Sequence, residues 1–113
     1  MIQAAKTGFN PDYAEDGPTI EEVQALQGIA IIEFGAPWCG YCQAAEPAVK
    51  EALAGLSIPH IKVYDGKGKR LGRSFNVKLW PTLILLNDGV DIERVVRPIH
   101  PDEIGDLLTD VDT

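Results

Sequence analysis

Apolar and polar positions change period several times along the chain, and each change marks an element. In Thr19-Ile20-Glu21-Glu22 a Thr stands three residues ahead of a Glu, the capping-box spacing. Ile20, Val23 and Leu26 follow at helical intervals, which predicts a short helix over 20–27 stopped by Gly28. Ile29-Ala30-Ile31-Ile32-Glu33-Phe34 is almost continuously apolar and rich in β-branched residues, the pattern of a central strand covered on both faces. From Cys39 the period becomes helical through Ala44, Ala45, Ala48, Val49, Ala52, Leu53 and Leu56, with Pro47 inside as an expected kink. His60 to Tyr64 reads as a second strand with Ile61 and Val63 on one face. After a glycine-rich basic stretch from Asp65 to Arg73, Ser74 to Val77 suggests a short helix and Thr82 to Leu86 a third strand. Asn87-Asp88-Gly89 is a hairpin turn leading into a strand from Ile92 to Val96. A last helix over 102–109 follows Pro101, with Asp102 and Glu103 in the first turn where the helix dipole favours negative charge. Residues 1–18 read as a loose or short-stranded lead-in and 19–113 as the domain. A strand-helix-strand crossover requires parallel pairing and a hairpin antiparallel pairing, so the expected fold class is α/β: a central mixed β-sheet flanked by helices on both faces.

Length and charge narrow the function classes. A single chain of 113 residues buries about two-thirds of its unfolded surface, enough for a core without staples. Two cysteines exclude a disulfide scaffold, and a net charge of −7 disfavours nucleic acid as a partner. No apolar run has transmembrane length, so no membrane partner is expected. Met1 to Lys6 lack the charged-then-apolar order of a signal peptide; with Met1 taken as the natural start, the expected location is cytoplasmic.

The chemistry is concentrated in Trp38-Cys39-Gly40-Tyr41-Cys42, where a buried strand ends and a helix begins. A cysteine at a helix start meets unpaired N–H groups that stabilise its thiolate, the attacking species in disulfide exchange. Cys42, three residues on, shares the helical face and reaches back across one turn. Gly40 leaves room over Cys39, and Tyr41 adds a ring beside the sulfurs. Against this stand two blander readings, two inert buried thiols or half of a zinc site. The chain has no second cysteine pair, and His60 and His100 lack the short histidine spacing, so no metal is expected. Glu33 is an ionisable residue in a strand that otherwise reads as buried; desolvation predicts a raised pKa and a proton-exchanging role, the alternatives being a buried ion pair or a Glu that reaches water.

Phe34-Gly35-Ala36-Pro37-Trp38-Cys39-Gly40-Tyr41-Cys42, with Pro47 in the next helix and Trp80-Pro81-Thr82 before a strand, resembles the thioredoxin family over residues 19–109. The resemblance implies a thioredoxin fold and a dithiol oxidoreductase that reduces protein disulfides, with Cys39 as nucleophile, Cys42 as resolving thiol and no cofactor. It further implies Glu33 as proton acceptor beneath the dithiol, in the place of the family's usual Asp, with Lys62 as the lysine beside it. Its substrate groove takes in Trp38, Gly40, Tyr41, Trp80, Pro81 and Arg97. On the residues alone the Trp80–Pro81 bond could be cis or trans; the resemblance implies cis, with Trp80 presenting backbone groups to a substrate strand. Partners implied are disulfide-containing proteins and, as electron donor, a thioredoxin reductase, acting on a monomer. Several positions depart from the family pattern. Gly35 stands where a Trp is common, Leu79 and Trp80 replace a Gly and a small aliphatic residue, and Arg97-Pro98 replaces a groove glycine. Glutaredoxin signals are lacking. A disulfide isomerase or oxidase, or a non-catalytic interaction module on the same fold, are the alternative readings.

Overall fold

The computed structural model describes residues 5–66 and 69–109. The first four residues, on which the leader reading draws, and the last four of the assigned domain lie outside that range. Element order is β1 (Ala5–Thr7), α1 (Ile20–Gln24), β2 (Ile29–Gly35), α2 (Gly40–Leu53), β3 (Pro59–Tyr64), α3 (Arg70–Ser74), β4 (Thr82–Asn87), β5 (Val90–Val96) and α4 (Pro101–Thr109). One five-stranded sheet runs β1-β3-β2-β4-β5. The β2–β3 pair is parallel; β1–β3, β2–β4 and β4–β5 are antiparallel. This is the mixed sheet expected from the chain, with β2 at its centre.

Alternation along the strands sends side chains to two cores. On one face Ala30, Ile32, Phe34, Ile61, Val63, Ile84 and Leu86 meet Val23 of α1 and Leu71 of α3. On the other, Ile31, Leu83 and Leu85 meet Ala45, Ala48, Val49 and Leu53 of α2 with Ile104 and Leu107 of α4. Glu33, two residues from Ile31, therefore points toward α2, as do His60 and Lys62 from β3.

Local rules account for the boundaries. The capping box forms: Glu22 N–H donates to Thr19 Oγ1 at 3.0 Å and Thr19 N–H to Glu22 Oε1 at 2.9 Å. α1 ends at Gln24 rather than 27, because the chain turns into β2 through Gly28, whose φ is +76° and whose N–H is held by the Asp88 carboxylate at 2.7 Å. Asp88 and Gly89 both have positive φ, as a two-residue hairpin requires. The helix expected over 74–77 lies earlier, at 70–74: Leu71 anchors it in the core, and Asn76 at φ +59° ends it. α2 continues through Pro47 to Leu53.

The lead-in is fastened to β3 and is part of the site's architecture. Beyond β1, Ala14 N–H donates to Lys62 O and Tyr64 N–H to Ala14 O, each at 2.9 Å. Asn10 N–H donates to His60 Nδ1 at 2.9 Å and Asn10 Nδ2 to the His60 carbonyl at 3.1 Å. Tyr13 is thereby held over the end of β2.

Candidate active site

β2 runs out at Gly35, and Cys39 is the N-cap of α2. Its backbone is extended, and its sulfur accepts the Cys42 N–H at 3.2 Å, so one of the helix's unpaired donors points at sulfur. Negative charge on Cys39 Sγ sits at the positive end of a 14-residue helix. Exposure barely separates the two cysteines: Cys39 keeps 9% of its surface and Cys42 5%, and both are free thiols. Their environments distinguish them. Burial pushes the Cys42 thiol up to about 12, reinforced by its hydrogen bond with Cys39 and opposed by the Ala36 backbone and the Tyr13 hydroxyl. A Cβ at Gly40 would meet nothing within 4 Å, so Gly40 leaves that side of the dithiol open as expected.

Glu33 is 3% exposed and is joined to the cysteine side of the site through the Tyr13 hydroxyl, but its charge state departs from the expectation. Burial disfavours its carboxylate; the hydrogen bond with His60 first, then the Lys62 charge and the Tyr13 hydrogen bond, outweigh that and hold the group below its ordinary value, not above it. Oε1 meets His60 Nε2 at 2.8 Å and Oε2 accepts the Tyr13 hydroxyl at 2.7 Å. Because the Asn10 N–H points at His60 Nδ1, that nitrogen is an acceptor and the ring proton of the neutral tautomer belongs to Nε2, facing the carboxylate. Lys62 is register partner of Glu33 on β3, yet its ammonium bonds elsewhere: Pro11 O at 3.2 Å and Glu46 Oε2 at 3.6 Å, with the Tyr13 ring centroid 4.3 Å away. Lys62 thus acts on Glu33 by charge and not by contact.

The missing ring at Gly35 is also made good. A Cβ there would stand 2.6 Å from the Tyr13 hydroxyl and 2.7 Å from Cys42 Sγ. Tyr13 enters from the lead-in and fills the space, and burial drives its hydroxyl far above the usual phenol range.

The rim is aromatic. Trp38 and Tyr41 are 63% and 59% exposed, and the Trp38 ring meets Trp80 edge-on at 5.6 Å between centroids. Trp80 Nε1 donates to Asp65 Oδ2 at 3.0 Å, and Trp38 Nε1 to the Tyr64 hydroxyl at 3.3 Å. The Trp80–Pro81 peptide is cis, as the resemblance implied. Arg97 has φ +53°, the left-handed region where glycine is at ease. Its Nε donates to the Trp80 carbonyl at 2.8 Å, and its guanidinium lies 3.6 Å over the Tyr41 ring. The carbonyl expected to face a substrate strand therefore already carries a bond from within the chain. Tyr13, Asp65 and His60 as carboxylate partner escaped the sequence reading; the paired signal was Gly35 in the motif and a tyrosine in the lead-in.

Two free thiols paired across the first turn of a helix, beside a tryptophan joined to a cis proline, form the redox centre of a dithiol oxidoreductase. The chain belongs to the thioredoxin family: residues 18–110 match the family model described as Thioredoxin. It is 42% identical over 85 residues to a thioredoxin of Chlamydia trachomatis, covering 73% of this chain and 81% of that protein. It is 40% identical over 84 residues to the protein disulfide isomerase-like 5-3 of Oryza sativa subsp. japonica, where 70% of this chain spans only 20% of the relative. Among solved structures it resembles reduced thioredoxin 2 from Pseudomonas aeruginosa PAO1, with a TM-score of 0.80, 42% identity, and coverage of 90% of this chain and 95% of that one.

Proposed function

We propose that the chain reduces disulfides in protein substrates, with Cys39 as nucleophile and Cys42 as resolving thiol. The Cys39 thiolate attacks a substrate sulfur, forming a mixed disulfide and releasing one substrate thiolate. Cys42 then loses its proton and attacks Cys39 Sγ; the mixed disulfide breaks, the second substrate thiolate leaves and takes a proton, and the Cys39–Cys42 disulfide remains. Two electrons pass from the dithiol to the substrate. The observation that carries this order is the asymmetry of the pair: Cys39 caps the helix and accepts the Cys42 N–H, whereas the Cys42 thiol is buried and pushed up to about 12. An external dithiol reductant, for which a thioredoxin reductase is the candidate, restores the reduced state. Reduction of insulin disulfides with dithiothreitol as donor tests the reading. Cys39→Ser abolishes turnover, while Cys42→Ser makes the first attack and accumulates mixed disulfides. Equal trapping by both variants refutes the order, and no acceleration by the native chain refutes the activity.

A further inference from the structure

Resolution requires a proton to leave a buried thiol, and the side chain that hydrogen-bonds the buried carboxylate and stands beside that thiol is Tyr13. We infer that the Tyr13 hydroxyl carries the proton of Cys42 to Glu33 as the mixed disulfide is resolved, an inference that rests on the dithiol reading above. Three placements support it. Gly35 has no side chain, so the hydroxyl and Cys42 Sγ both reach the space where its Cβ would stand, at 2.6 and 2.7 Å from that point. The hydroxyl already donates to Glu33 Oε2 at 2.7 Å, which leaves its lone pairs to accept from the thiol. The other carboxylate oxygen is held by His60 at 2.8 Å, whose Nδ1 accepts the Asn10 N–H, so Glu33 and the histidine proton are fixed in orientation.

The step balances within these groups. The Cys42 S–H bond breaks as a new O–H bond forms on Tyr13; the original Tyr13 O–H bond breaks as an O–H bond forms on Glu33 Oε2. The freed electron pair on Cys42 Sγ attacks Cys39 Sγ and displaces the substrate thiolate. Tyr13 stays uncharged throughout, as a phenol in so buried a place must. The charged and titratable groups around the line are Lys62, 4.3 Å from the Tyr13 ring centroid, Glu46 paired with Lys62 at 3.6 Å, His60 on Glu33, and Cys39 beside Cys42. The competing route is water: an open cleft lined by Tyr13, Cys42 and Glu46 reaches the same thiol.

A two-phase stopped-flow experiment with dithiobis-nitrobenzoate, whose thiolate product is coloured, distinguishes the routes. The first phase reports attack by Cys39 and the second reports resolution by Cys42. Tyr13→Phe is expected to slow the second phase by about 10-fold at neutral pH, the low end for proton transfer at a site open to water, and to leave the first within about 2-fold. Its second-phase rate then climbs with hydroxide concentration where the native profile is flatter. Glu33→Gln slows the same phase, and the double variant is no slower than either single, because both lie on one path. A native second phase retained in rate and pH profile by Tyr13→Phe, or singles whose effects multiply in the double, overturns the relay. A native chain with no second phase overturns the dithiol reading instead. Should Tyr13→Phe fail to fold, a fluorotyrosine at position 13 retains shape and makes the hydroxyl a stronger donor and weaker acceptor; a second-phase rate at neutral pH that does not change then refutes the relay.

Discussion

Replacing His60 by Ala removes the donor that keeps a buried charge in place, and the structure bounds the cost. His60 is fully buried; it bonds Glu33 through Nε2 at 2.8 Å and the Asn10 N–H through Nδ1 at 2.9 Å. A hydrogen bond to a charged group contributes about 1.5–3 kcal/mol and a neutral one about 1 kcal/mol. Emptying a ring-sized site in a closed core adds about 2 kcal/mol or more. These are not additive, and leaving a buried charge without its partner costs about 3–5 kcal/mol as a whole, which is the expected loss. For a chain of this length that lowers Tm by roughly 10–25 °C. With the histidine gone, desolvation is opposed only by Tyr13 and the Lys62 charge, so the Glu33 carboxyl moves up. Urea unfolding of the reduced protein at pH 7 measures the cost for His60→Ala, Glu33→Leu and the double variant. Removing both partners leaves no charge to satisfy, so the double is less destabilised than the sum of the singles by about 1–3 kcal/mol. A loss below about 1 kcal/mol for His60→Ala, or singles that simply add, refutes the assignment of this pair as the support of the buried carboxylate.

Glu33 also predicts a pH dependence of stability. Its folded value is depressed below the ordinary 4.5, so its contribution is fully present above that value and is lost as the pH falls through the lower folded one; urea midpoints measured down the acid limb fall less steeply in Glu33→Gln. Gly35→Ala drives a Cβ to within 2.7 Å of both the Tyr13 hydroxyl and Cys42 Sγ and is expected to cost about 1–3 kcal/mol in a thermal melt, an unchanged Tm counting against that close approach. Arg97→Gly relieves the left-handed backbone and frees both the Trp80 carbonyl and the Tyr41 face, so KM for a disulfide-containing peptide falls by about 3- to 10-fold, each tenfold being 1.4 kcal/mol; a rise in KM shows that the guanidinium itself holds substrate.

The strands, the hairpin and the dithiol junction were legible because each rests on local rules: period, cap, turn chemistry. α1 and α3 were misplaced at their ends for a different reason. Asp88 reaching across to the Gly28 N–H is a contact sixty residues long, and no window along the chain contains it. The same limit hid the site's interior. Glu33 read as a raised carboxyl because one strand shows burial and not the donors that burial collects; His60, Tyr13 and Lys62 come from β3 and the lead-in, and together they reverse the sign.

Gly35 and Tyr13 make one argument from two ends of the same space. A bulky residue at 35 would occupy the volume that the Tyr13 hydroxyl and Cys42 Sγ now border, and a lead-in without Tyr13 would leave that volume, and Oε2 of Glu33, to water. The substitutions at the rim have the same character: Arg97 stands in a backbone conformation suited to glycine and spends its side chain on Trp80 and Tyr41. Chemistry at sulfur needs only Cys39, Cys42 and an acceptor for one proton. What the chain varies is which side chains close the space behind the second sulfur and which cover the carbonyl in front of the first, so differences in rate should track residues 13 and 35, and differences in substrate should track 41, 80 and 97.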